Sequence, residues 1–573
     1  MWFGESHEWR SGRWSLQLRG DELADLAYDG RTLLRSVRAV VRDRDWDTAR
    51  LVVDRVRETD ATLTLHVRSE GVGSSYRGVV RAEARPDRLD VICDLESEHA
   101  FDTNRTGLVV LHPPHVAGAL LRVTRPDGTT DETTFPRAIS PHQPVDDIAA
   151  LAWLDDGHEV VVAFEGDVFE MEDQRNWTDA SFKTYSRPLS LPFPYRIGAG
   201  ERVRQTVSVR ARRTAAQPGP APAHDRIVLR AGGAFPSIAL GAASAPDPAP
   251  AFEPLGDHVL VELDLATPNW RAALDRASAS GLPLDVRFVL DPDAPAALAD
   301  GAAALRGRDV VRAGAFHLVG EARHVSDGAA VDALRDALRA AGRDIPVVGG
   351  SRSHFTELNR ERHRIPDDLD GLTVTVTPLF HADGTEQLVE SLAMQRLVAA
   401  HTVRYAGDLP VHIGPVSLRP RFNDVATVPQ PRPRRTDLAE GFGAEFTGAV
   451  DERQTAAELA AWTIASAAAL AVPGVASLAW FEEWGPRGIR SSAGAPFPVA
   501  AALDELAARR GGELLWGDSP DGLLWAIGAQ EGGETVLLVA NLDRVARDLT
   551  VEAPGGIAET TLPPASFRRL VAV

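Results

Sequence analysis

The sequence predicts three domains: a large N-terminal β-sandwich, a central (β/α)8 TIM barrel and a small C-terminal β-sandwich. Three observations lead to this prediction. Residues 1–213 alternate apolar and polar side chains with a period of two, whereas residues 225–510 alternate short apolar runs with helical patterns. Residues 511–573 return to short strands separated by glycine turns. We place the three domains at these boundaries.

The N-terminal region is patterned as strands that bury one face. Trp14, Leu16 and Leu18 alternate with polar neighbours, and the residues around Cys93 do the same. Such runs, separated by Asp-Gly turns, indicate antiparallel sheets. Cys93 falls on the apolar side of its run, so we expect it to pack as a small core residue. The Pro- and Ala-rich segment 213–224 indicates a stiff linker that ends the domain.

The central region contains alternating candidate strands and helices. Candidate strands lie at 237–240, 259–264, 284–290, 310–316, 345–349, 372–377, 411–413 and 476–481. Helical patterns lie at 270–278, 294–305, 329–341, 386–402, 452–470 and 498–510. This alternation is typical of a (β/α)8 barrel. The short strands that follow predict a small domain that supports the barrel.

Composition excludes several classes of partner. The chain has 61 Lys plus Arg against 81 Asp plus Glu, a net charge of −20. This balance argues against binding to nucleic acid or to anionic membranes, because both require basic surfaces. The single cysteine excludes a disulfide framework and a Cys-based zinc site. With no signal-peptide pattern and no apolar run long enough to cross a bilayer, we expect a cytoplasmic protein that acts on a small molecule.

The stretch Phe169–Tyr185 is the strongest candidate for a functional segment outside the barrel. A hairpin turn of about two to five residues would be ordinary at this position. The sequence instead places a dense polar set around one indole, without Gly or Pro. We predict substrate contacts from this set, at Asp173, Arg175, Asn176 and Trp177. The alternative is a solvated hairpin tip with surface ion pairs.

Two carboxylates mark the predicted mouth of the barrel, because barrel enzymes act at the carboxyl ends of their strands. Glu357 follows the fifth candidate strand and Glu482 ends the eighth. One could activate water while the other donates a proton, provided that burial separates their pKa values. We predict both as catalytic. Further candidate substrate contacts at the strand ends are His317, Arg352, His354, Asn359, His381, Arg419 and Trp484.

Each of these side chains also has a structural interpretation, as a salt-bridge partner, a rim charge or a loop anchor. A metal site is not favoured: His354 and Glu357 could form a ligand pair, but no third ligand shares a convincing spacing. We expect neither a metal nor a cofactor.

The chain resembles the D-apionate lactonase family of apiose catabolism. The resemblance rests on Glu170–Tyr185, and also on Phe355–Arg360, Pro415–Arg419 and Phe481–Gly488. It extends over nearly the whole length. It implies hydrolysis of a five-membered sugar lactone, D-apionolactone, to its open aldonate. It also implies that the polar stretch reaches over the barrel mouth, with Trp177 as a platform for the substrate.

Two other functions are compatible with the residues. A retaining glycoside hydrolase would use Glu357 and Glu482 as acid/base and nucleophile, about 5 Å apart. A wider separation would favour attack by water. The other alternative is a carbohydrate-binding protein without catalysis.

Overall fold

A computed structural model describes residues 2–214, 225–425, 432–443 and 450–572. Almost all of the predicted linker 213–224 lies outside these residues. The chain forms an N-terminal β-sandwich, a closed barrel of parallel strands and a small C-terminal pair of sheets. The predicted fold class is confirmed.

The N-terminal sandwich contains two large antiparallel sheets. Its strands are β1 (His7–Ser11), β2 (Trp14–Arg19), β3 (Glu22–Tyr28), β4 (Arg31–Arg42), β5 (Arg50–Glu58), β6 (Thr62–Glu70), β7 (Tyr76–Arg85), β8 (Arg88–Ser97), β9 (Phe101–Thr103), β10 (Arg105–His112), β11 (Leu120–Thr124), β12 (Thr130–Thr134), β13 (Val145–Ile148), β14 (Ala150–Asp155), β15 (His158–Glu165), β16 (Phe169–Asp173), β17 (Phe182–Ser186), β18 (Tyr195–Ile197) and β19 (Arg202–Arg213). Eight strands form the first sheet, in the order β1-β2-β3-β4-β10-β17-β16-β13. Nine form the second, in the order β12-β11-β14-β15-β19-β8-β7-β6-β5, and β9 pairs separately with β18.

The period-two pattern of the sequence places the apolar side chains between these two sheets. Every second residue of β6 is buried from Leu63 onward, as the alternation predicts. Cys93 is a free, buried thiol in the same core, which confirms the expectation from its position.

Two short strands, β20 (Arg226–Val228) and β21 (Arg230–Ala234), precede the barrel. The barrel strands are β22 (Ser237–Gly241), β23 (His258–Asp264), β24 (Leu284–Leu290), β25 (Val310–His317), β26 (Val347–Gly350), β27 (Gly371–Val376), β28 (Val411–Val416) and β29 (Val475–Glu482). They close into a ring in chain order, and β22 pairs with both β23 and β29. All eight lie within a few residues of the candidate strands. Extensive burial explains this agreement, since a parallel strand covered on both faces is mostly apolar.

Helices follow seven of the eight barrel strands in the chain. They are α1 (Trp270–Ser278), α2 (Ala297–Ala304), α3 (Gly328–Ala340), α4 (Phe355–Glu361), α5 (Thr385–Ala406), α6 (Glu458–Leu470) and α7 (Val499–Ala507). The predicted helix 452–470 is divided, because Asp451 caps a separate 3₁₀ turn at Glu452–Thr455 before α6 begins. The short helix α4 was not predicted. Within the described part of the chain, no helix is long and apolar enough to cross a bilayer.

The C-terminal strands are β30 (Glu513–Trp516), β31 (Leu524–Glu531), β32 (Glu534–Asn541), β33 (Arg547–Ala553), β34 (Gly556–Leu562) and β35 (Ser566–Ala572). They form a three-stranded sheet, β20-β33-β34, and a five-stranded sheet, β21-β30-β31-β32-β35. Strands β20 and β21 therefore belong to this small domain, although they lie within the range 225–510 that we assigned to the barrel. Trp525 and Leu538 pack into the same core as α6, so the small domain supports one side of the barrel.

Candidate active site

The polar stretch 169–185 is a buried hairpin. Strands β16 and β17 pair in antiparallel register, and a 3₁₀ turn at Gln174–Trp177 follows β16. Hydrogen bonds join this hairpin to segments that follow the carboxyl ends of the barrel strands. Asn176 bonds to Asn359 of helix α4 (2.9 Å), and from the loop after β27 the carbonyl of Thr377 bonds to Thr178 (3.2 Å) and His381 bonds to Asp179 (2.7 Å). The expected position of the hairpin over the barrel is confirmed.

Two charged residues at the turn hold the hairpin itself together. The Arg175 guanidinium donates to both carboxylate oxygens of Asp173 at 2.7 and 2.8 Å. It also donates to the carbonyls of Pro136, Arg137 and Ala138. Asp173 and Arg175 are each only 1% exposed. The contacts of these two predicted ligand residues are structural.

Asn176 and Asn359 form the contact between the hairpin and the barrel, which we call the joint. Asn359 donates to Asn176 and to the carbonyl of Ile139, and accepts a hydrogen bond from the hydroxyl of Tyr405. Asn176 also donates to the carbonyl of Ser140 at 2.6 Å. Both were predicted as substrate contacts, but the structure places them in the interface between the domains.

A cavity of about 510 Å³ lies between the first sheet and the barrel loops. We call it the interdomain cavity. Its walls include Arg42, Lys183 and Tyr185 of the sheet, Trp177 of the hairpin turn, and His381 from the loop after β27. This volume lies within the usual range for small-molecule pockets, about 300–1,000 Å³. A second cavity of about 660 Å³ adjoins it and shares Arg42 and His381.

An aspartate–histidine pair forms part of the wall of the interdomain cavity. His381 Nδ1 lies 2.7 Å from Asp179 Oδ2, and its Nε2 has no hydrogen-bond partner among the described residues. Burial raises the pKa of Asp179 well above its ordinary value, against the opposing charges of Lys183, Arg35 and Arg42. Burial lowers the pKa of His381 well below that of an ordinary histidine, and Lys183 and Arg42 act in the same direction. Burial therefore disfavours the charged form of both groups, which leaves the imidazole of His381 neutral and able to accept a proton.

A cation and an aromatic stack lie beside this pair. Lys183 forms a salt bridge with Glu172 on the paired strand, and burial lowers the pKa of its ammonium while Glu172 opposes that effect. The ring of Trp177 stacks on Phe380, with 5.9 Å between ring centroids and 11° between planes. It also meets the His381 ring edge-on at 5.2 Å. The site thus combines a proton acceptor, a cation and an apolar platform.

Glu482 lies at the barrel mouth, but three donors hold its carboxylate. The backbone N–H and the hydroxyl of Ser244 donate to it at 3.0 and 2.8 Å, and Arg487 lies 2.8 Å away. It borders a cavity of only about 80 Å³, which Glu262 and Arg421 also line.

Glu357 lies at the start of α4, where it accepts hydrogen bonds from the Ser353 hydroxyl (2.5 Å) and the His354 backbone (3.1 Å). Burial and the nearby Asp424 raise the pKa of this glutamate. Asp424 lies 3.6 Å from the His354 ring, and burial raises its pKa to about 6. Burial lowers the pKa of His354 to about 4. The described lining residues of the interdomain cavity include neither Glu357 nor Glu482.

Arg352 is one of two arginines that bind Glu262 at the end of β23. Both Arg352 and Arg421 form salt bridges with its carboxylate, and Arg352 also contacts His324. Burial acts to raise the pKa of Glu262, but the two guanidinium groups outweigh it and hold the pKa at about 2. This network joins loops across the mouth of the barrel.

The other predicted contacts lie apart from the interdomain cavity. His317 pairs with Asp327 at 2.8 Å, and Arg419 pairs with Asp451 at 2.8 Å. Trp484 is 1% exposed and packs with Ala243 and Ala245. Of the predicted site residues, Trp177 and His381 are the two that line this cavity.

Sequence reasoning did not single out four residues that lie at or near the site. Glu172, Asp179 and Lys183 were within the polar stretch but were not chosen, although their place in the same motif was an available signal. Asp424 follows β28, and no motif or characteristic spacing in the surrounding sequence marks it as a functional residue.

The sequence matches known proteins over most of its length. The family model described as "D-apionate lactonase, N-terminal domain" matches residues 3–214, and that described as "D-apionate lactonase, TIM barrel domain" matches residues 248–511. A protein named D-apionate lactonase, from Brucella anthropi, is 30% identical over 531 residues, which cover 85% of this chain and 84% of that protein. The chain belongs to the D-apionate lactonase family. The motif in the hairpin supplies Glu172, Trp177, Asp179 and Lys183 to the cavity of this family member.

Solved structures show more distant similarity. A β-arabinopyranosidase is 11% identical, with a TM-score of 0.28, and the alignment covers 98% of each chain. A GH30 endoxylanase from Clostridium papyrosolvens is 10% identical, with a TM-score of 0.41, over 61% of this chain and 99% of the other. A putative aldose 1-epimerase from Escherichia coli is 12% identical, with a TM-score of 0.27, over 36% of this chain and 99% of the other. The described residues contain no group of three or more His, Cys, Asp or Glu side chains arranged to hold a metal ion.

Proposed function

We propose that the protein hydrolyses a five-membered sugar lactone, D-apionolactone, to D-apionate in the interdomain cavity. The observation that carries the proposal is the Asp179–His381 pair on the wall of a cavity of about 510 Å³, in a chain of the D-apionate lactonase family. The family motif and the barrel contribute one partner each. A site assembled in this way explains why the hairpin is buried against the barrel.

In the proposed mechanism the lactone ring lies against Trp177, with its carbonyl towards Lys183. In the reactive form of the pair, Asp179 is ionised and His381 is neutral. Nδ1–H of His381 then donates to Asp179, and Nε2 accepts a proton from water. The resulting hydroxide attacks the lactone carbonyl, and the ammonium of Lys183 stabilises the tetrahedral oxyanion. When the C–O bond of the ring breaks, His381 returns its proton to the leaving oxygen, which becomes a hydroxyl group. The carboxylic acid formed at the same time loses its proton to solvent and becomes the carboxylate of the product.

This assignment differs from the catalytic pair Glu357 and Glu482 predicted from the sequence. The contacts of Glu482 favour a fixed anion, because Ser244 and Arg487 already occupy its carboxylate. Glu357 caps a helix outside the described lining of the interdomain cavity. That pair remains a prediction, and variants of these residues distinguish the two assignments.

The reaction class is tested by supplying lactones and glycosides to the same preparation. Purified protein is incubated with five-membered aldonolactones and, separately, with nitrophenyl glycosides, each with and without chelator. Acid release is followed at constant pH, and heat-inactivated protein corrects for spontaneous ring opening. We expect acid release from the lactones, no nitrophenol, and no effect of the chelator. Nitrophenol release without lactone opening would identify a glycosidase, and sugar binding without turnover would identify a binding protein.

A further inference from the structure

The interdomain cavity is cationic, although the chain as a whole is acidic. Its described lining contains six basic side chains and three carboxylates: Arg38, Arg42, Arg105, Lys183, Arg323 and Arg360 against Glu22, Glu172 and Asp179. The whole chain has a net charge of −20. A concentration of positive charge in one enclosed space attracts anions from solution. The balance of charge in the lining is thus opposite in sign to that of the chain as a whole.

Arg105 lines this space and has two donors without a partner in the described part of the chain. Its side chain is 3% exposed, and its guanidinium lies 5.1–5.6 Å from the ring centroids of Trp46, Tyr185 and Phe193. Nη1 donates to the carbonyl of Asn104. Nε and Nη2 are buried and have no hydrogen-bond partner among the described residues. These two atoms form the edge of the guanidinium that matches the two oxygens of a carboxylate.

Arg42 lies directly opposite Arg105 on the neighbouring strand. The two residues are cross-strand partners in the pairing of β4 with β10, so their side chains leave the same face of the sheet. No carboxylate lies within ion-pair distance of Arg42 among the described residues. Burial lowers the pKa of its guanidinium, and Arg105 acts in the same direction, while Glu172 and Tyr185 oppose that effect. Two like charges held together and partly desolvated are stabilised when an anion binds between them.

We propose that Arg42 and Arg105 form a carboxylate subsite, which receives the acid group that ring opening creates. The proposal rests on the lactonase function proposed above. Arg42 and Arg105 line the same cavity as Asp179 and His381, so the subsite adjoins the place where the new carboxylate forms. The ligand of the subsite is a sugar acid, and its binding makes the product an inhibitor of the reaction.

Direct binding tests the subsite without any turnover. Isothermal titration calorimetry compares sodium D-apionate with the alditol that carries CH2OH in place of the carboxylate. We expect the wild-type protein to bind D-apionate about tenfold or more tightly than the alditol, and Arg105→Lys to remove most of that preference, since lysine lacks the planar fork. Arg42→Lys is a second variant at a less buried position. Arg31→Lys, on the same strand but bonded to Asp155, is the matched control and keeps the wild-type preference.

The outcomes separate the source and the chemistry of the anion. A lactone that carries its own carboxylate is added as a competitor of D-apionate. Competition would show that the acid group bound at the subsite can come from the substrate as well as from the product. Tighter binding of inorganic phosphate than of D-apionate would overturn the carboxylate assignment. Equal affinities for D-apionate and the alditol, or a preference unchanged in both arginine variants, would overturn the subsite. Arg105-dependent binding in a protein that opens no lactone would refute the proposed function alone.

Discussion

The joint between hairpin and barrel predicts a loss of both stability and activity when Asn359 is replaced. Asn359→Ala removes three hydrogen bonds, with Asn176, Ile139 and Tyr405. Asn176 and Ile139 are each 2% exposed, so the partner atoms on both are left buried without a bond. At about 1–3 kcal/mol for each such group, the variant should be destabilised by about 2–6 kcal/mol.

Activity should fall as well, because the same joint sets the position of Asp179 relative to His381. A displacement of about 1 Å in a catalytic group can reduce a rate about a hundredfold, so we expect kcat/KM for the lactone to fall about 10- to 100-fold. Stability is followed as the midpoint of urea unfolding, by tryptophan fluorescence and far-UV circular dichroism. The midpoint is compared between variants because a multidomain chain need not unfold in a single step.

The C-terminal domain offers a matched control. Asn541 is also buried, and the two N–H groups of its amide are shared among three carbonyls, those of Val545, Leu562 and Pro563. Asn541→Ala should therefore destabilise the protein by a similar mechanism while leaving kcat/KM within about twofold. Wild-type kcat/KM in Asn359→Ala, or an equal loss in Asn541→Ala, would refute a specific role for the joint.

Three further predictions follow from buried ionisable groups. Burial raises the pKa of Asp179, so the acid limb of the profile of kcat/KM against pH should lie above pH 3.8. This limb should shift in the variant Asp179→Asn. An unchanged limb would show that Asp179 does not control catalysis. Burial raises the pKa of Glu483 to about 7 from 4.5, so its stabilising contribution is present below pH 4.5 and is lost as the pH rises through 7. Glu483→Gln should thus be more stable than wild type at pH 8, by up to about 3 kcal/mol, but not at pH 4, as measured by thermal unfolding. Burial raises the pKa of the Cys93 thiol to about 12, so Ellman's reagent should detect one thiol only after unfolding, and rapid labelling of the native protein would contradict the buried position.

The barrel could be predicted from the sequence because its strands carry their own signal. Strand β27 is buried along its whole length, and its six residues are uncharged Gly, Leu, Thr and Val, a composition typical of a buried strand. The sequence of the hairpin, in contrast, carried a misleading signal. Glu170, Asp173 and Lys183 are buried, whereas polar side chains in a sequence normally indicate exposure to solvent. The sequence therefore predicted only a polar functional stretch or a solvated hairpin tip, whereas the segment forms two buried strands of the first sheet.

The candidate site was only partly predictable, since it depends on contacts between distant segments. His381 was predicted from its position after the sixth barrel strand, and the local sequence is enough to show that position. Its partner Asp179 lies 202 residues earlier in the chain, and the two meet only because the domains dock. Glu482 was chosen by the same local rule, but the Ser244 contacts that hold its carboxylate come from the loop after β22. No spacing in the sequence indicates those contacts.

Steady-state kinetics of three variants on one sugar lactone test the location of the catalytic base most directly. If His381 is the base, His381→Gln should lose about 10²- to 10⁴-fold in kcat/KM, while Glu357→Gln and Glu482→Gln lose less than about tenfold. Circular dichroism of each variant checks that it is folded. A loss of about a hundredfold or more in both glutamate variants, with near wild-type kcat/KM in His381→Gln, would contradict the account and return catalysis to the barrel mouth.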